Sequence, residues 1–480
     1  MATLESEVQD LRNALSRSSG SLCEPETSLS WINFFRFAGP GIIMCTAFID
    51  PGDLEADLQA GAQYRYMMLW CYLWTTVMGY FMQMLAAKLG VASGKDLATM
   101  CREEYPPCVR WILWVIIEAS LMGVEIQYVI GAGVGLSLMC DGLLPLWAAV
   151  LVCGGLAYLT LMMDRYGVKA VEMMFLGMIG VMVVSFTVLA IKAKAPGDEV
   201  MLGLAWPQMP MQVPGSDYNS ATTDLLTGGI LGGAMSPYNF YFFSMLVLKR
   251  ELPMASRGEK AHRAHLLLHR ASHIWAIGLF ATGLSSTTAA VYAGQAIMSG
   301  FIDIKVSIWW RAIISRSFAI VPALVVAATQ RQDQTELDNM NLWLNLLQTI
   351  ALPFALLPLL HFTCNKRIMG KHWANNIPVT VLAIIIALFA IAVAIYATVM
   401  STPLPSEPYA VALGVVGVSA YGAAIGYFLI GPDRVERWWA LLRAFSRSSG
   451  GAVHVDLAVD NDAKPVVVEV EVVAFKAIAE

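Results

Sequence analysis

The sequence predicts an all-α polytopic membrane protein, and three observations carry that expectation. Of 480 residues, 57% are hydrophobic and only 14% charged, whereas soluble domains carry roughly a quarter charged residues. Apolar runs of about twenty residues, the length that crosses a bilayer as a helix, recur along most of the chain. Lys and Arg collect between those runs and leave the runs nearly free of charge. A soluble globule of this length would still need a charged surface, so the solvent for these segments is lipid. The mean hydropathy of +0.60 agrees.

The first 29 residues are polar, and the apolar segment after them is too long for the core of a signal peptide. Residues 1–30 are therefore expected to form a cytosolic tail ahead of a transmembrane domain at 31–431. About eleven spans follow, near 36–62, 67–91, 109–138, 143–163, 168–192, 224–247, 272–297, 306–328, 341–363, 376–400 and 409–431. Basic residues cluster at Arg12/Arg17, Lys95/Arg102/Arg110, Arg165/Lys169, Lys249 to Arg270, Lys366/Arg367/Lys371 and Arg434 to Arg447, which places these segments on the cytosolic side. The loop from Ala195 to Thr223 is Pro-rich and slightly acidic through Asp198, Glu199 and Asp217, as expected of the opposite side. Residues 432–480 read as a cytosolic tail. Its last stretch alternates Val with Asp and Glu, a pattern that could make short strands but is read as a cytosolic appendix.

A net charge of −5 supplies no basic field for nucleic acid, so DNA and RNA are not expected partners; lipid and a small ligand are. The eight cysteines are scattered without CxxC spacing, and Cys45, Cys71, Cys153 and Cys364 lie in or beside apolar segments as buried thiols. No nucleophile–base pair and no phosphate loop stands out, so an enzyme is not expected, nor is a resident cofactor.

Two spans are interrupted. The first contains Asp50-Pro51-Gly52-Asp53; the sixth contains Gly232-Gly233 and then Ser236-Pro237. Pro removes a backbone donor and Gly loosens the helix, so carbonyls and amides are freed at membrane depth, where unwound backbone is tolerated only if it lines a cavity. Carboxylates at that depth cost roughly 2.5–3.5 kcal/mol each on insertion scales. A kink explains a single Gly-Pro. Paired interruptions with two carboxylates point instead to the substrate site of a secondary transporter. Asp50, Asp53 and freed carbonyls make a hard, oxygen-rich cage suited to a divalent cation such as Mg²⁺ or Mn²⁺. Asp53 also suits the N-cap of the helix that restarts after Gly52.

The run RFAGPGIIMCTAFIDPGDLEADLQAGAQYRYMMLW resembles the first helix and following loop of the Nramp family of divalent-metal transporters, whose signature there is Asp-Pro-Gly-Asn. The likeness continues through GKDLATMCREEYP, SSTTAAVYAGQAIMSGF, RAIISRSFAIVPALVV and LPFALLPLLHFTCNKRIMG, roughly residues 36 to 371. It implies a LeuT-type fold of two inverted five-helix repeats, with metal bound where the first and sixth helices unwind.

Carried over by position, the resemblance makes Asp50 a metal ligand and the carbonyls of Ala47 and Gly233 backbone ligands. Asp53 stands for the family's asparagine, and Ser236 stands for the metal-binding methionine of a Met-Pro-His motif that here reads Ser236-Pro237-Tyr238. Asn345 sits where a tenth-helix glutamine can join the shell. Losing a soft thioether and gaining a carboxylate both harden the site, so Mg²⁺ and Mn²⁺ are favoured over softer ions. The family's proton route is altered too. Glu118 is retained, Glu125 and Tyr128 occupy the positions of a third-helix aspartate and glutamate, and Tyr238 and Phe243 replace two histidines. Phenol and phenyl groups do not carry protons near neutral pH, so coupling to protons is expected to be weak or lost. Arg311 matches a family arginine that can pair with Glu125, and reads equally as a juxtamembrane anchor. Met173, Met174, Met178 and Met182 read as packing.

Charge counting leaves one span short. Lys249 to Arg270 and Lys305 should both be cytosolic, yet a single apolar run near 272–297 separates them; the family's seventh helix is missing. The expected function is thus secondary transport of divalent metal across a plasma or endomembrane. The alternatives are an ordinary proton-coupled Mn²⁺/Fe²⁺ carrier and a non-transporting receptor or scaffold, against which a second buried carboxylate argues.

Overall fold

The computed structural model describes residues 51–139, 143–162, 195–207, 220–249, 286–302, 334–370, 372–401, 408–430, 453–457 and 466–470, with a few single positions between them. All lie in one compact unit, Pro40–Glu480. The described helices are α1 (Pro51–Tyr64), α2 (Leu69–Ser93), α3 (Leu97–Glu104), α4 (Pro107–Met139), α5 (Leu146–Met162), α6 (Gly197–Ala205), α7 (Ser220–Ala234), α8 (Pro237–Lys249), α9 (Ser286–Ile302), α10 (Gln334–Ala351), α11 (Pro353–Cys364), α12 (Lys366–Met369), α13 (Ile377–Ser401) and α14 (Pro408–Ile430). Among the described residues, three helical stretches are long and apolar enough to cross a membrane: Pro107–Val134, Met340–Cys364 and Ile377–Val399.

The C-terminal tail holds the one departure from an all-helical chain among the described residues. Val453–Leu457 (β1) pairs antiparallel with Val466–Val470 (β2), Val453 opposite Val470 and Leu457 opposite Val466. Valine alternating with polar residues has the two-residue period of a strand, and here that period prevails over the expected appendix.

Local chemistry sets the helix ends around α3. α2 stops at Gly94, whose φ of 70° is left-handed and whose N–H donates to the Gly90 carbonyl. Asp96 caps α3 by accepting from the Thr99 N–H at 3.2 Å. Pro107 then opens α4 at a position where a missing N–H costs nothing. The first amide of α3, Leu97 N, donates across the fold to Ser244 Oγ of α8 at 3.0 Å. Arg102 reaches the Ser299 carbonyl of α9 at 3.4 Å. α3 thereby joins the ends of α2, α8 and α9.

The main core runs through α2, α3, α4, α8, α9 and α11, with Tyr128, Tyr238, Tyr241, Phe240, Phe301 and Phe362 among its largest buried side chains. A second cluster joins α1, α2, α7 and α10 through Ala56, Ala60, Leu226, Ile230, Leu342 and Leu346. Its partners are small enough for close helix approach. At Gly232 of α7 a Cβ would overlap the Asn345 carbonyl and the Thr349 hydroxyl of α10, so only glycine fits. Thr349 Oγ1 uses that proximity to donate to the Gly228 carbonyl at 2.5 Å.

Candidate metal site

α7 ends at Ala234 and α8 begins at Pro237, so the sixth span is two helices joined at Met235-Ser236. Proline at the first helical position has no N–H to leave unsatisfied, and its ring prevents the two helices from running on as one. Ser236, 1% exposed, stands in the gap. Its hydroxyl is within hydrogen-bond reach of Gln348 Oε1 at 2.7 Å, the Gly233 carbonyl at 2.9 Å and the Gly232 carbonyl at 3.3 Å, with one proton to share among them. The Gly233 carbonyl also accepts from the Ser236 N–H at 3.3 Å. The neighbouring Met235 is buried in the main core, so its thioether is engaged in packing.

α10 brings a ladder of amides to this gap. Gln348 Nε2 donates to Asn345 Oδ1 at 3.0 Å. Gln127 of α4 donates from its Nε2 to the same oxygen at 2.7 Å and to the Asn341 carbonyl at 3.0 Å. Ser236, Gln127, Asn345 and Gln348 are all essentially buried and are linked to one another by hydrogen bonds. Position 345 is thus in the polar shell, and Gln348 is the α10 amide that touches Ser236. Sequence reading missed both Gln348 and Gln127. The signal was present in the spacing: Asn341, Asn345 and Gln348 fall at i, i+4 and i+7, one face of one helix, inside an otherwise apolar run.

Two of the tyrosines that stand where the family resemblance places proton carriers are joined. Tyr128 of α4 and Tyr238 of α8, both fully buried, share a 2.6 Å hydrogen bond between their hydroxyls. Glu118 and Glu125 are buried on the same helix, α4. Phe243 of α8 packs in the main core. Pro51 and Gly52 open α1, and Asp53 follows in its first turn. Asp50, Ala47 and Arg311 lie outside the described residues, as does the 250–285 segment where a helix is expected to be missing. Among the described residues no three His, Cys, Asp or Glu side chains gather as a metal cluster. The described part of the shell therefore offers neutral oxygen: a hydroxyl, amide carbonyls and main-chain carbonyls. Such donors suit a hard cation once a carboxylate supplies the charge.

The chain matches the family described as "Natural resistance-associated macrophage protein-like" (Nramp) over residues 41–267 and 259–400. It is 36% identical over 411 residues to metal transporter Nramp3.1 of Populus trichocarpa, covering 75% of this chain and 80% of that protein. It is 37% identical over 409 residues to metal transporter nramp1 homolog of Dictyostelium discoideum, covering 74% of each. A crystal structure of an Eremococcus coleocola manganese transporter, in complex with an aromatic bis-isothiourea substituted compound, superimposes with a TM-score of 0.69 at 22% identity, over 85% of this chain and 96% of that one. That likeness shows the fold, a LeuT-type helical arrangement. The family match over most of the chain, together with relatives above 30% identity across about three quarters of it, establishes that this integral multi-pass membrane protein belongs to the Nramp family.

Proposed function

We propose that the chain is a secondary transporter of divalent metal cations whose site admits Mg²⁺ and Mn²⁺ with little discrimination. Relatives named as metal transporters, and a fold shared with a manganese transporter, support divalent metal as cargo. The observation that carries the finer reading is Ser236. It occupies the helix break, is buried, and sits among oxygen acceptors, while the adjacent thioether of Met235 packs in the core. A site without sulfur and with carboxylates from Asp50 and Asp53 loses the bias toward soft ions. Asp50 is the anchoring anion, Asp53 the second, and the carbonyls of Ala47 and Gly233 complete the cage.

Movement of the ion is poorly coupled to protons. Tyr128 and Tyr238 hydrogen-bond to each other, and a phenol with an ordinary pKa near 10 holds its proton at physiological pH. The buried Glu118 and Glu125 favour a second reading, in which α4 retains a proton carrier and the protein is an ordinary proton-coupled Mn²⁺/Fe²⁺ carrier.

Uptake into liposomes by the purified protein tests the proposal. Mg²⁺ and Mn²⁺ should compete for entry, and Asp50→Ala should abolish uptake of both. Strong Cd²⁺ uptake that Mg²⁺ does not inhibit would refute the hard-site reading, and unchanged uptake by Asp50→Ala would place the site elsewhere.

A further inference from the structure

We propose that Gln127 of α4 is a positioning residue for cargo binding: it fixes which end of the Gln348 amide faces the break between α7 and α8. The inference rests on the reading that metal binds at that break. A primary amide presents an oxygen with two lone pairs at one end and two N–H donors at the other, and rotation by a half turn exchanges them. For a cation the difference is decisive, because the oxygen attracts it and the N–H end repels it.

The hydrogen bonds show what holds the oxygen outward. Asn345 Oδ1 accepts from Gln127 at 2.7 Å and from Gln348 at 3.0 Å, which uses both of its lone pairs. Gln348 Nε2 is thereby committed to the Asn345 side, with Gln127 Oε1 as a further acceptor at 3.4 Å. Its Oε1 must then point the other way, where it accepts from Ser236 at 2.7 Å and keeps one lone pair for a ligand. Gln127 has little freedom of its own. Its Nε2 donates to Asn345 Oδ1 and also to the Asn341 main-chain carbonyl at 3.0 Å, an acceptor that no side-chain rotation can withdraw. The order of control runs from the α10 backbone at Asn341 to Gln127, to Asn345, to Gln348, to the ion. Asn345 is consequently a relay in this arrangement, and the oxygen it would lend to a metal is already engaged.

Replacing Gln127 with leucine removes one donor from Asn345 and one acceptor from Gln348. The Gln348 amide can then turn its N–H end toward the Ser236 hydroxyl, which accepts as readily as it donates. Residues that orient a metal ligand typically change metal affinity by roughly 10–100-fold when removed. In liposomes carrying the full chain, Gln127→Leu should therefore raise the KM for Mn²⁺ at least about tenfold, with the maximal rate within about threefold of wild type. Gln348→Glu supplies the discriminating background, because a carboxylate presents oxygen whichever way it turns. In that background Gln127→Leu should change KM by less than about threefold, a non-additivity that loss of packing would not produce. If Gln127→Leu does not yield monodisperse protein, Mn²⁺ binding to Gln127→Glu, which lacks both N–H donors, takes its place and should weaken by the same factor.

An unchanged KM, a fall in maximal rate alone, or an equal penalty in the Gln348→Glu background would each overturn the inference. Failure of the underlying site reading looks different. Asp50→Ala protein that still transports removes the site itself, whereas inactive Asp50→Ala beside a silent Gln127→Leu removes only the role given to Gln127.

Discussion

At the scale of single residues, the proposed selectivity turns on Ser236, which stands where the family resemblance places a thioether. Ser236→Met should raise the preference for Cd²⁺ over Mg²⁺ by about tenfold or more in competition uptake, since sulfur ligands select softer ions. Asp53→Asn should leave transport active while weakening Mg²⁺ more than Mn²⁺, because the strongly hydrated ion depends most on anionic ligands. The break that holds Ser236 was legible in the sequence, since a proline in a long apolar run is visible as a residue type. Gln348 was marked only by its spacing from Asn341 and Asn345 on one face of α10, and Gln127 not at all, because an isolated glutamine in an apolar run looks the same whether it pairs across helices or not. Partners 221 residues apart in sequence leave no local trace.

At the scale of elements, α3 carries the clearest energetic prediction. Its first amide is satisfied by Ser244 Oγ, whose own proton goes to the Tyr241 carbonyl at 2.8 Å. Ser244→Ala leaves a buried N–H without an acceptor and should cost about 1–3 kcal/mol, read as a lowered melting midpoint in detergent with the metal KM unaltered. A second element-level expectation concerns α4 and α8, tied by the Tyr128–Tyr238 bond. Metal uptake should follow the metal gradient and the membrane potential with little acidification inside the vesicles. A stoichiometric pH change that disappears in Glu125→Gln would make α4 the surviving proton route. The break at Met235-Ser236 was readable from Pro237 together with the paired glycines Gly232-Gly233 just before it. α3 was not foreseen as a helix: its eight residues are too few for an apolar period, and it depends on the Asp96 cap and on Ser244 far along the chain.

At the scale of the whole molecule, labelling tests the topology between α8 and α9. The family match itself comes in two stretches that meet within residues 259–267, inside the basic segment where charge counting finds a crossing too few. We expect this chain to fold poorly or to be inactive, because one apolar run lies between positions 255 and 303, and cysteines introduced there that are labelled from opposite sides in an active, well-folded protein would overturn that topology. Same-side labelling in an active protein would refute the missing helix. Cys108 is exposed beside α3, on the side that the basic residues assign to the cytosol, and serves as an internal reference for that face. Cys101 is silent in such an assay, since burial pushes its thiol well above the ordinary range and keeps it protonated. The all-helical membrane character was legible from composition alone, because a bilayer forces long uncharged runs on any helix that crosses it. The strand pairing of the tail was ambiguous, because ten residues of alternating valine favour a hairpin only if a partner strand lies close by.

The bare face of α7 makes the site heritable through backbone shape as well as through ligands. No codon change at Gly232 produces a smaller residue, so every missense variant there adds at least a methyl group where the Asn345 carbonyl and Thr349 already sit. Such a variant displaces α10, and with it the Asn345 and Gln348 amides, without altering any group that contacts the cargo. In a saturation screen for growth on scarce metal, position 232 should therefore rank with Asp50 among the least tolerant, although it contributes no side chain at all.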